Sequence, residues 1–102
     1  MDSWAYASLT DKKLFQCISM ATNNNQHLLK YLFDHKSAKL RLPPEQLLKN
    51  ASGFCSGDYL LVKFAVDLWS EYGCLKLHEL FNFDDDVLKH VLLALTQLRG
   101  LT

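Results

Sequence analysis

Residues 57–72 set the terms on which this chain folds. Read as a helix at 100° per residue, Tyr59, Leu61, Val62, Phe64, Ala65, Val66, Leu68, Trp69 and Tyr72 cover an arc of roughly 220°. Lys63, Asp67, Ser70 and Glu71 fill the remaining stripe, with Leu60 intruding on it. A rod that apolar must be covered on more than one side, either as the centre of a core or as core and interface together. Ser56 is placed to cap it, and Asp58 lies in the first turn, where a carboxylate favours the positive end of the helix dipole. Gly73 offers a left-handed stop.

Further helices are expected around this one. After Thr10, read as a cap, Leu14, Cys17, Ile18 and Ala21 repeat at i, i+3, i+4 and i+7. Thr22-Asn23-Asn24-Asn25 interrupts that helix, because short amide side chains compete for backbone hydrogen bonds, and Asn25 is a natural cap for a restart. A second helix over 26–36 carries Leu28, Leu29, Tyr31, Leu32 and Phe33 on one broad face. Residues 37–42 read as irregular or briefly extended. Pro43-Pro44 then opens a short third helix, 44–51, with Leu47 and Leu48 inward and Gly53 at its end. A short helix at 75–81 leads to the last, 85–99, capped by Asp84. Its inner face is predicted to be Val87, Leu88, Val91, Leu92, Leu95 and Leu98, with Leu93 among its polar residues. No alternation at period two appears. The expected fold is all-α, a compact bundle of about five helices in one domain, 1–102. Residues 37–43 are its candidate hinge, between a helical hairpin and a C-terminal three-helix unit.

Charge is balanced at eleven basic and eleven acidic residues, so no global field draws the chain to nucleic acid, membrane or an acidic substrate. The charges are nonetheless sorted: residues 1–56 hold seven basic and four acidic side chains, and residues 57–102 hold four and seven. Cys17, Cys55 and Cys74 are an odd set without a close pair, which reads as reduced thiols in a reducing compartment. The first nine residues have neither a basic start nor an apolar stretch, and no apolar run reaches the length of a membrane span. A cytoplasmic protein without a membrane partner is expected.

Several site chemistries are weighed on the residues. The lengths of helices 57–72, 75–81 and 85–99 suit a helix-turn-helix DNA reader. The last helix, however, would present Asp84, Asp85 and Asp86 to the phosphates that dominate such affinity. Lys36, Lys39 and Arg41, with Lys30, Tyr31 and Phe33 nearby, form a basic patch for nucleic acid or an acidic partner, although both aromatics also belong to an apolar helix face. Cys74, His78 and Glu79 are an incomplete metal set, so no metal or other cofactor is expected. Cys55 precedes a helix N-terminus that favours a thiolate, but adjacent Phe54 suggests burial, and no phosphate loop or nucleophile elbow occurs. The expected protein is not an enzyme.

What remains is an excess of apolar face. Trp4 and Tyr6 in the N-terminal arm, with Leu60 and Leu93 on otherwise polar helix stripes, are the candidate protein interface. The stretch Ser-Gly-Asp-Tyr-Leu-Leu-Val-Lys-Phe-Ala-Val-Asp-Leu-Trp-Ser-Glu-Tyr at 56–72, followed by Leu77, Leu80 and Val87 to Leu98, resembles small bacterial proteins of mobile elements and phage. That resemblance implies a small regulator or inhibitor that binds another protein, and it carries over no site residue. The reading is a self-associating, homodimeric interaction module with a protein partner. The alternative is a helix-turn-helix transcriptional regulator.

Overall fold

Helix α1 (Leu9–Ala21) begins where Ser8 Oγ accepts the Asp11 N–H at 3.1 Å, so Ser8 caps it and Thr10 lies inside the first turn. The computed structural model describes residues 7–99, which places Trp4 and Tyr6 outside the described residues. The polar run that follows does what its composition predicts. Asn23 and Asn24 take left-handed conformations (φ 53° and 56°), which asparagine tolerates better than most residues. Asn25 Oδ1 then accepts the His27 and Leu28 N–H groups and starts α2 (Gln26–Leu32).

The second helix stops four residues short of expectation. Phe33-Asp34 (β1) pairs antiparallel with Lys39-Leu40 (β2), Phe33 opposite Leu40 and Asp34 opposite Lys39. The Asp34 carbonyl accepts the Ala38 N–H at 2.9 Å and its carboxylate accepts the Lys36 N–H at 2.9 Å, closing the connection between them. Two-residue strands are too short to leave an alternating pattern. Helix α3 (Pro44–Asn50) follows with proline in its first turn, and a 3₁₀ turn (Ala51–Gly53) completes it.

Helix α4 (Ser56–Ser70) is the buried rod, with Leu61, Val62, Phe64, Ala65 and Val66 in the core. It starts one residue earlier than expected, with Cys55 at the cap position, and it ends at Glu71, whose left-handed backbone (φ 54°) makes the stop assigned to Gly73. A 3₁₀ helix (Leu77–Asn82) leads into α5 (Asp85–Arg99). Helix α4 packs against α1, α2 and α3, while α1 packs most extensively against α5. The fold is thus mostly α-helical, and its buried apolar residues form one cluster running from Cys17 to Ala94. Among the described residues, no helix is long and apolar enough to cross a membrane.

On α5, Val91 and Ala94 are fully buried, whereas Leu92, expected on the inner face, is 48 % exposed. The inward direction lies close to Val91, flanked by Leu95 and Leu98. A residue one position on from Val91 is turned by about 100° and points away from it.

Candidate functional site

Asp67 sits on the stripe of α4 that the sequence reading left to solvent, yet its carboxylate is a docking point for the returning chain. Oδ1 accepts the Cys74 N–H and the Cys74 thiol, each at 2.9 Å, and Oδ2 accepts the Leu75 N–H at 2.6 Å. Burial pushes this carboxyl up, but the donors from Cys74, Leu75 and Gly73 outweigh it and hold Asp67 below its ordinary value. Burial and the facing carboxylate together push the Cys74 thiol up to about 12.

One turn back along the same stripe, Lys63 Nζ reaches Glu79 Oε2 at 3.0 Å and lies 5.2 Å from the centre of the Tyr59 ring. Glu79 Oε1 in turn accepts the Lys76 N–H at 3.0 Å. The segment 74–79 therefore runs back along α4, held first by Asp67 and then by Lys63. Leu60, a further turn along this stripe, is buried (6 % exposed). Its expected place at an exterior interface is thereby corrected: Leu60 belongs to the buried core cluster.

With its inner side anchored, the 3₁₀ helix turns Leu77 and Phe81 outward, 81 % and 84 % exposed. Tyr72 is exposed ahead of it, and Asp84, Asp85 and Asp86 are exposed after it. Leu93 is 49 % exposed beside Leu92 on the outer side of α5, as its sequence position implied. Leu77 and Phe81 escaped the sequence reading because 3₁₀ periodicity over six residues leaves no readable stripe. The signal that could have found them is the run Leu77–Val87, in which Leu77, Leu80, Phe81, Phe83 and Val87 outnumber the inward positions a single turn provides.

Lys36, Lys39 and Arg41 are all exposed, and Arg41 has partners in the chain. Lys36 and Lys39 lie on the β-hairpin, and Arg41, just after it, donates from Nε to the Tyr31 carbonyl at 2.8 Å with its guanidinium 5.1 Å from the Tyr31 ring. The neighbouring aromatics are packing residues. Phe33 is buried with Phe15 and Trp69 against it edge-on at 5.2 and 5.1 Å, and Tyr31 meets Phe54 at 4.9 Å. Asp84, Asp85 and Asp86 stand at the amino end of α5, where a DNA-reading helix would meet phosphate.

Cys55 is exposed, because Phe54 turns to Tyr31 and leaves the thiol at the helix cap. A cavity of 280 Å³ between α1 and α5 is lined by Cys17, Met20, Ala94 and Leu98, with Lys13, Gln16 and Gln97. Burial pushes the Cys17 thiol up to about 11, which keeps it protonated at neutral pH. Among the described residues, no three His, Cys, Asp or Glu side chains gather as a metal set. Cys74 and Glu79 are instead engaged by Asp67 and Lys63. No family model, curated protein or solved structure matches the chain.

Proposed function

We propose that the chain is a non-enzymatic protein-interaction module, a homodimer that regulates or inhibits another protein by binding it. The observation that carries this reading is the run of large apolar side chains left outside between residues 72 and 93: Tyr72, Leu77, Phe81, Leu92 and Leu93. Scattered exposed leucines are ordinary on any surface. Two exposed pairs this close in sequence, on elements otherwise anchored to the core, are what an interface needs. The pair on α5 suits self-association, since a helix face brought onto its own copy by a twofold axis buries both leucines twice.

Sedimentation velocity with Leu93→Asp is the test. Leu93 is half exposed, so the variant keeps wild-type helicity while its dimer dissociates to monomer. A wild-type protein that stays monomeric at high concentration removes the homodimer from the proposal.

A further inference from the structure

The cavity between α1 and α5 joins an apolar lining to a polar lip. Its volume is 280 Å³, about twice that of an apolar protein cavity of roughly 150 Å³ that takes up benzene. Cys17 and Ala94 are buried in its wall, and half-buried Met20 and Leu98 complete the apolar lining. With its thiol pushed up to about 11, Cys17 adds no charge there at neutral pH. Lys13, Gln16 and Gln97 are exposed and form the lip. Lys13 is the one charged residue of the lining, and its neighbours Asp11 and Lys12 lie outside it. Among the described residues, Lys13 has no ion-pair partner, and the Gln16 and Gln97 amides make no hydrogen bond. A second cavity, of 500 Å³, shares Gln16, Met20 and Gln97 but adds four polar residues, Ser19, Asn23, Asn24 and His90, to Phe15. The apolar part of the groove therefore lies between Lys13 and Met20, over which α1 rises about 10 Å.

We infer that this cavity binds a small amphipathic monocarboxylate, its hydrocarbon tail against Cys17, Met20, Ala94 and Leu98 and its carboxylate at Lys13, with the Gln16 and Gln97 amides as further donors. The inference goes beyond the reading of the chain as a protein-binding module and does not rest on it. A carboxylate gains a charge-assisted partner at the lip. An amine is repelled by Lys13, and a phosphate ester brings two charges to a single ammonium. Scaled from benzene, the volume takes a ligand of about ten non-hydrogen atoms. A straight chain of about eight carbons spans the distance from Lys13 to Met20.

The probe is octanoate, titrated into the nitrogen-15-labelled full chain and followed by NMR, with octylamine and acetate as controls for charge and tail. The wild-type protein binds octanoate saturably, with shifts concentrated at residues 13–20 and 94–98, and binds neither control. Lys13 is exposed, so Lys13→Met keeps the fold while it weakens octanoate binding at least about tenfold, as loss of a charged hydrogen-bond partner does. Ala94→Leu extends into the cavity and abolishes binding. Leu77→Ser, on the distant 3₁₀ helix, leaves it unchanged. A urea titration shows whether Ala94→Leu is folded, and Lys13→Met decides the matter if it is not. Absence of saturation, equal binding of octanoate and octylamine, affinity untouched by Lys13→Met, or loss of binding in Leu77→Ser overturns the inference.

Discussion

Asp67 shows how much one side chain can do from the supposedly idle side of a helix. Its carboxylate holds two backbone N–H groups and a thiol, and an amide in its place offers one acceptor and turns donors toward donors. Asp67→Asn is therefore expected to cost about 1–3 kcal/mol in a urea titration at neutral pH. The pH dependence follows from the direction of the shift. Because the folded carboxyl titrates below its ordinary value of 3.8, its stabilisation is complete above that pH and is lost as pH falls through the depressed folded value. Wild-type stability should fall in that acid range, and the Asn variant should lack this part of the fall. The thiols give a second check. With Cys17 near 11 and Cys74 near 12, thiolate at pH 8 is on the order of one molecule in a thousand or fewer. Iodoacetamide should modify the exposed Cys55 in the native protein and all three cysteines in denaturant, as read by intact mass. The place of Cys17 in the apolar repeat of the first helix was legible in the sequence, but the Asp67 anchor was not, since a helical wheel records which residues share a stripe and not what returns to it.

At the level of elements, the chain was readable wherever a local signal decides. The Asn25 cap, the proline start of α3 and the buried rod of α4 depend on neighbours within a turn or two. Pairings between distant elements were not readable. The sequence suggests that the first two helices form a hairpin, but α1 takes α5 as its main partner. Ala94 is central to that contact and was passed over because a single methyl barely registers in an apolar pattern. It is fully buried and lines the cavity between the two helices. Val91, fully buried on the same helix and outside that cavity's lining, is the position to test: Val91→Ala should cost about 1–3 kcal/mol, measured as a lowered urea midpoint. The candidate interface divides in the same way: Leu93 was visible on the α5 wheel, whereas Leu77 and Phe81 depended on the return path along α4.

For the molecule as a whole, a single buried cluster joins α1, α2, α3, α4 and α5 across the 37–43 segment. That segment forms the second strand and the approach to α3, with the Arg41 N–H donating to the Leu32 carbonyl at 2.8 Å. Urea unfolding followed by far-ultraviolet circular dichroism and by tryptophan fluorescence should therefore give coincident transitions. Two separated transitions would mean that the segment acts as a hinge between units. The partnership of α1 with α5 also bears on how the protein is made. More than roughly sixty residues separate the end of α1 from the start of α5, and a ribosome adds about 5–20 residues each second. For several seconds of every synthesis, then, the greasy flank of the first helix waits on the emerging chain for a companion not yet translated.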